Sequence, residues 1–424
     1  MAKIVIDNLG PIEHCTMDIE EFTILTGAQA SGKSTIAKAV FFGRTVKDDI
    51  FDVISRKTLL GTGNTLFNDV IKVLRNKFLQ LFGTSKAMKS DMKLTYFYGD
   101  ETYICVSLKI KEGYDYISPN YVWIDFSSNI VDFLKKSFYV DGIESGELKK
   151  QVNALFNDDS EIIFIPAGRS LISLLSAQLN YLFTTMDDEQ KRSIDFCTQK
   201  YIERILKIRP LFENGVGALI EQKKNLPGSK INTLIIGKML GLVQTVLKGK
   251  YVFKDGEERL YIDDDHFVKI NFTSSGQQEV VWILNILLHI LINNTKAYII
   301  LEEPEAHLYP EAQKHMTEVL ALMENCKCGI LVTTHSPYVL GAINNLIYAG
   351  SLAEQYSKIE NVLDKMFYVK NHEAYFLEDG KIKSCTDADD HGLIINEVID
   401  GASAEINKLY DQLFDIDYKQ RSNT

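Results

Sequence analysis

The sequence predicts an α/β fold with a parallel-sheet core, and three observations carry that expectation. The apolar run Phe22–Leu25 leads straight into Gly27-Ala-Gln-Ala-Ser-Gly32-Lys33-Ser34-Thr35, a glycine-rich turn set between a strand and a helix. In the last third, a helix over Gln278–Asn293, a buried strand over Tyr298–Leu301, a helix over Glu311–Met323 and a buried strand over Gly329–Thr333 follow in order. That βαβ alternation calls for parallel strands with helices on both sheet faces. Strands in the N-terminal part read instead as hairpins, so the sheet as a whole is expected to be mixed.

Taken in order, Lys3–Ile6 and Phe22–Leu25 read as short strands, and a helix is expected from Ser34 to about Phe42 with Ile36, Ala39 and Val40 on its buried side. Lys47–Lys93 is mixed, with helical periodicity over Leu66–Phe82. Lys93–Lys111 reads as a hairpin around Gly99–Asp100, and Tyr121–Phe126 as one more strand. Leu134–Phe156 is a polar, partly helical connection, and Glu161–Pro166 is an apolar run ending at a proline, as a buried strand would. From Ser170 to about Gln222 leucines and isoleucines recur at helical spacing, but no heptad series is sustained, which argues against a coiled coil. Ile231–Leu247 is a further helix, Tyr251–Ile262 a hairpin around Asp255–Gly256, and Phe267–Phe272 a strand. The expected organisation is an N-terminal part (1–170) with the glycine-rich loop and hairpins, a helical insertion (171–247), a C-terminal part of the same domain (248–345) and an extension (346–424). The extension holds a hairpin and a closing helix within Met366–Phe414. It is read either as packing on the sheet or as a docking module, with a disordered tail after Asp417.

With 424 residues, 46% of them apolar, the chain can bury a sizeable core. A formal net charge of −11 disfavours a protein that grips nucleic acid with its whole surface, although a local basic patch on a dimer stays open. Six cysteines are scattered, and the spacing of Cys326 and Cys328 is not a zinc spacing, so free thiols are expected. The N-terminus reads as a strand and not as a signal peptide. Val280–Asn293 reads as too short and too polar to span a bilayer, so a cytoplasmic protein with no membrane contact is expected.

The chemistry concentrates in four places. In Gly27–Thr35 the glycines let successive backbone N–H groups turn inward around phosphate. Lys33 places a cation on the β- and γ-phosphates, and Ser34 is expected to ligate Mg²⁺. Ser31 and Thr35 belong to the same loop, and Gln29 is read as touching the ribose or a partner chain. The strand Tyr298–Leu301 ends in Glu302 and Glu303. The first acid is expected to hold Mg²⁺, directly or through water, and the second to activate the attacking water. Glu302 stands where Asp is more usual, and its extra methylene lengthens the contact to the ion. His335, at the tip of the next strand, is positioned either to sense the γ-phosphate or merely to cap a helix. Ser274-Ser275-Gly276-Gln277 opens a helix and offers hydroxyls, N–H groups and a helix dipole to an anion, or serves as a plain N-cap. His307 and Arg169 are ambiguous. Arg169 is read as reaching a phosphate, or the facing subunit, or as a structural arginine.

Together these residues resemble the ABC-type ATPases of the SMC, RecF and OLD group. Leu301–Pro310 (LEEPEAHLYP) and Thr333–Pro337 (TTHSP) are similar to segments of OLD-like and related AAA-labelled proteins of bacterial defence systems. The likeness is close over Ser274–Leu340 and loose over Met1–Leu340. It implies a P-loop NTPase of ABC type that uses ATP and Mg²⁺ and works as a homodimer or higher oligomer. Each site would take Lys33 and Ser34 from one chain and Ser274 and Gly276 from the other. OLD nucleases add a Toprim domain, but here Asp387-Ala-Asp389-Asp390 is the one DxD-like triplet after Leu340, and it reads as a solvated turn. The resemblance therefore narrows to PtuA-type ATPases, which act with a separately encoded nuclease or toxin. It implies a slow regulatory ATPase of an antiphage defence complex without nuclease activity of its own. The alternatives are a RecF- or SMC-like DNA-repair ATPase, which would bind nucleic acid, and a transporter subunit, which the insertions fit poorly.

Overall fold

The computed structural model describes residues 2–395, apart from 61–65, 85–87, 109–120, 139–143, 176–177, 188–189, 192, 229–230 and 354–355. The far end of the predicted Lys93–Lys111 hairpin, the closing helix toward Phe414 and the tail after Asp417 lie outside the described residues.

The chain opens with the antiparallel pair β1 (Ala2–Leu9) and β2 (Ile12–Ile19), then β3 (Phe22–Gly27) and the helices α1 (Lys33–Leu60) and α2 (Leu66–Phe82). A meander of β4 (Lys93–Phe97), β5 (Tyr103–Leu108) and β6 (Val122–Phe126) is followed by α3 (Ser128–Phe138), α4 (Ser145–Leu155) and β7 (Glu161–Ile165). The helices α5 (Ser170–Leu174), α6 (Leu179–Thr185), α7 (Phe196–Ile208), α8 (Gly215–Lys224) and α9 (Thr233–Leu247) follow. A small sheet of β8 (Lys250–Lys254), β9 (Glu257–Tyr261) and β10 (Phe267–Lys269) leads into α10 (Ser275–Asn293). Next come β11 (Ala297–Glu302), α11 (Pro310–Asn325), β12 (Gly329–Thr333) and α12 (Pro337–Leu352). The hairpin β13 (His372–Glu378) and β14 (Lys381–Ser384) and the short pair β15 (Thr386–Asp387) and β16 (Leu393–Ile394) complete the described fold.

One 11-stranded sheet runs in the order β6-β5-β4-β1-β2-β14-β13-β3-β12-β11-β7. The last five, β13-β3-β12-β11-β7, pair in parallel, and the first five pair antiparallel. The sheet is therefore mixed with a parallel core, as the sequence predicts. Side chains of a strand alternate faces. In β11, Ala297, Ile299 and Leu301 enter a core shared with α7, α9, α10, α11 and α12, whereas Tyr298 and Ile300 enter one shared with α1 and α2. Each such isoleucine is fully buried and contributes roughly 2 kcal/mol of transfer free energy.

Two expectations need correction, those on the length of α1 and on the span of α10. Helix α1 runs well past Phe42, because Val46, Ile50 and Ile54 continue the buried stripe at four-residue spacing. The C-terminal hairpin packs on the sheet, as one of its two readings has it, and does so from within: β13 lies against β3 along Phe22–Gly27, in the middle of the sheet. Helix α10 is, by length and composition, long and apolar enough to cross a bilayer, but 72% of that window is buried inside the fold, as a core helix's would be. Among the described residues, Ser170–Gln222 carries the helices α5 to α8, with a 3-10 turn at Arg209–Phe212 that contains Pro210. The Asp387–Asp390 segment is the expected acidic turn, with the Asp387 carboxylate accepting the N–H groups of Asp389 and Asp390 at 3.0 and 3.3 Å.

Candidate nucleotide site

Parallel strands deliver their C-terminal ends to one edge, where open α/β sheets bind ligands. Here that edge collects the glycine-rich loop after β3, Glu302 and Glu303 at the end of β11, Thr334 and His335 after β12, and Pro166–Arg169 after β7.

The loop takes backbone conformations few side chains tolerate: φ is 141° at Gly27, 61° at Ala30 and 109° at Gly32. A Cβ on Gly27 would stand 2.3 Å from the carbonyl oxygen of Leu377 on β13, so the neighbouring strand also requires glycine there. Ala28, Gln29 and Ala30 form the exposed tip. Ser31 Oγ is buried with no hydrogen-bond partner. Buried polar atoms are rarely left so, and an orphaned hydroxyl in this glycine-rich loop fits an anionic guest. Lys33, buried, donates to the carbonyls of Gly27 at 2.8 Å and Ala28 at 2.7 Å. Burial pulls its pKa down, against the opposing pull of Glu303 and Glu305, so both carboxylates stand near the ammonium.

Ser34 is exposed at the start of α1 and Thr35 half-buried. Both line a cavity of about 230 Å³ with Lys38, Leu9, Gly10 and Met88 among its walls. Glu302 is buried. Its Oε2 accepts the N–H of Ala167 at 3.3 Å, and its Oε1 has no hydrogen-bond partner. Burial raises its pKa, while the Ser34 hydroxyl, the Ala167 N–H and Lys38 act against that rise. A hydroxyl beside an orphaned, buried carboxylate oxygen is a hard-oxygen donor set of the kind Mg²⁺ takes, so these residues fit the ion. When bound, Mg²⁺ would supply charge neutralisation at the β- and γ-phosphate oxygens. Lys38, one turn after Ser34, pairs with Asp195, which caps α7 by accepting from Thr198 N at 3.0 Å. Asp195 tends to raise the pKa of Glu302, so the cap of α7 adds a charge close to that acid.

Glu303 adopts a left-handed φ of 46°, a strained value for a non-glycine residue at a strand end, with its N–H on Thr333 O at 2.9 Å. Its half-exposed carboxylate lies 3.8 Å from Nδ1 of the exposed His335, so acid and imidazole face the same space. Glu305 holds His335 in place. Buried, it accepts from Thr334 Oγ1 at 2.7 Å and from the His335 N–H at 3.0 Å. No local pattern marks Glu305 in the sequence, because its partners lie about thirty residues away.

The Ser274–Gln277 segment is exposed at Ser274 and Ser275. Ser274 and Gln277 form a capping box on α10: the Ser274 N–H donates to Gln277 Oε1 at 3.1 Å, and the Gln277 N–H donates back to Ser274 Oγ at 3.4 Å. Gln277 Nε2 donates to Leu247 O at 2.7 Å, so this side chain is spent on structure and Ser275 is the freer donor. Gly276 is buried against the Glu303–Leu308 turn, where a Cβ would meet the His307 carbonyl at 2.7 Å. Contact with that turn leaves no room for a larger residue.

Arg169 requires a correction. It is 1% exposed, and its guanidinium serves the carbonyls of Pro166, Glu279, Glu302 and Glu303 and the carboxylate of Glu279. It is turned into the protein and cannot reach a phosphate without leaving all of these.

A family model described as an AAA ATPase domain matches residues 1–340. The chain belongs to the AAA ATPase domain family. Membership implies nucleotide binding and ATP hydrolysis, in agreement with a phosphate loop and acids gathered on one sheet edge. Among curated proteins, none matches the sequence. Among solved structures, this AAA ATPase is similar to an SMC head bound to the C-winged helix domain of ScpA, at 10% identity and a TM-score of 0.41, covering 90% of this chain and 95% of that one. It is also similar to an SMC head domain with an extended coiled coil, bound to the C-terminal domain of ScpA derived from Pyrococcus furiosus (12% identity, TM-score 0.40, 91% of this chain and 96% of that one). A third is the SMC head domain from Thermotoga maritima (10% identity, TM-score 0.37, 90% of this chain and 97% of that one). Likeness at this level is weak, and the functional reading rests on the site itself.

Proposed function

We propose that the protein is a Mg²⁺-dependent ATPase of ABC type whose two sites are completed across a homodimer. The observation that supports this best is Glu302 Oε1, buried and without a partner beside Ser34, at the strand edge that also carries Lys33, Glu303 and His335. In this reading Lys33 leaves the Gly27 and Ala28 carbonyls for the β- and γ-phosphates, and the loop N–H groups and Ser31 cradle them. Ser34 and Glu302 hold the metal. Glu303 orients water and takes its proton, and His335 donates to the γ-phosphate. Ser274, Ser275 and Gly276, presented at the N-terminus of α10, would close the site of a second chain through hydroxyls, N–H groups and the helix dipole.

Within this reading the ATPase turns over slowly in the cytoplasm, as the regulatory subunit of an antiphage complex. It controls a separately encoded nuclease or toxin, on the strength of the LEEPEAHLYP and TTHSP segments. The test is Glu303→Gln. It should retain ATP, run as a dimer in size-exclusion chromatography with light scattering when ATP and Mg²⁺ are present, and release no phosphate. Unchanged phosphate release would remove Glu303 as the base, and salt-sensitive DNA binding by the trapped form would favour the DNA-repair reading.

A further inference from the structure

Arg169 sits between two parts of the site that differ in ownership if the split-site reading holds. Nη1 donates to Glu302 O at 2.7 Å and Nη2 to Glu303 O at 2.8 Å, gripping both peptides that carry the acids. Nε donates to Glu279 O at 3.2 Å and pairs with Glu279 Oε2 at 3.2 Å. Glu279, also 1% exposed, accepts the N–H groups of Arg169 at 3.1 Å and Ser170 at 2.9 Å. Ser173 Oγ donates to Gln278 O at 2.7 Å and adds a second tie from α5 to the same turn. Glu279 lies just over one turn into α10, the helix that Ser274 caps, and a capped helix moves as a rigid unit. The strained Glu303 peptide is thus braced by the same guanidinium that anchors the first turns of α10.

We propose that Arg169 is a positioning residue that couples Glu303 of a chain's own site to the Ser274–Gly276 loop serving its partner's site. The coupling rests on the split-site reading. Nucleotide drawn against Ser275 would pull α10, and α10 would pull the Glu303 peptide through Glu279 and Arg169. Only a planar fork with several N–H donors can span these acceptors at once, and a lysine ammonium cannot. Occupancy of one site would therefore speed hydrolysis at the other, which alone still turns over at a lower rate.

The test is Arg169→Lys in the full-length protein, followed by nucleotide affinity, steady-state hydrolysis and thermal melting. The expected result is a Kd for ATP within about twofold of the parent. The kcat should fall about tenfold or more, and the Hill coefficient for ATP should drop from above one to one. Glu279→Gln, which removes the charge and turns one of the two accepting oxygens into a donor, should give the same pattern, and it reports if Arg169→Lys does not fold. Lowered melting temperature with kcat and cooperativity intact would overturn the proposal, as would a joint loss of affinity and rate. A parent enzyme with a Hill coefficient of one, or cooperativity surviving in both variants, would remove the Arg169 link, whereas a parent that stays monomeric with ATP and Mg²⁺ would remove the split-site reading.

Discussion

The carboxylate of Glu305 accepts the backbone N–H of His335 at 3.0 Å. The same oxygen takes the hydroxyl of Thr334, so one buried acid fixes the tip of β12 against the turn after β11. Removing it should leave His335 chemically intact but misplaced. Glu305→Ala should keep the ATP KM within about twofold while kcat falls by at least about tenfold, because a displaced catalytic group costs rate more than binding. Glu305→Gln, which retains the acceptor oxygen, should recover most of that rate. Steady-state phosphate release checks both, and equal losses in the two variants would refute the positioning role.

Gly27→Ala should damage loop and sheet together. The position has a φ of 141°, and an added methyl would stand 2.3 Å from the Leu377 carbonyl. A backbone carbonyl cannot swing aside as a side chain can, so β13 must shift. The expected cost is about 2 kcal/mol in urea unfolding, with loss of nucleotide binding. Retained affinity and stability would show that β13 does not press on the loop.

Away from the site, Glu324 should make stability depend on pH. Burial, reinforced by Glu21 and opposed by Lys370, pushes its carboxyl from 4.5 to about 7. The folded state therefore holds a proton that the unfolded chain has already lost. Stability from this group is greatest near the unfolded pKa and declines as pH rises through about 7. The side chain is partly exposed, so the effect is screened to about 1 kcal/mol between roughly pH 5 and pH 8. Glu324→Gln should flatten that slope in chemical denaturation at the two pH values, and an unchanged slope would contradict the assignment.

Much of this was legible in the sequence. Gly27–Thr35, the acids of β11 and the alternation from Gln278 to Thr333 are local patterns with local causes, and each element lies where the pattern places it. What the sequence withheld is long-range. The pairing of β13 with β3 joins segments about 350 residues apart, and no local signal announces it. Strand β2 gives a weak signal because its burial pattern is half exposed and it carries polar residues such as His14 and Asp18. Arg169 and Glu305 look alike in sequence, as charged residues after a strand end. Only their partners at Glu279, Glu302, Thr334 and His335 show that both brace the site from within.

The central claim is that each nucleotide is held by two chains, and mixing two defective proteins tests it most directly. Lys33→Ala disables the phosphate loop, and Ser275→Glu places a like charge where the exposed serine would meet the partner's γ-phosphate. Each variant alone should be inactive. Mixed and allowed to exchange subunits, they form dimers with one intact composite site, and ATP hydrolysis should return. Full activity of Ser275→Glu alone, or no recovery on mixing, would contradict the split site.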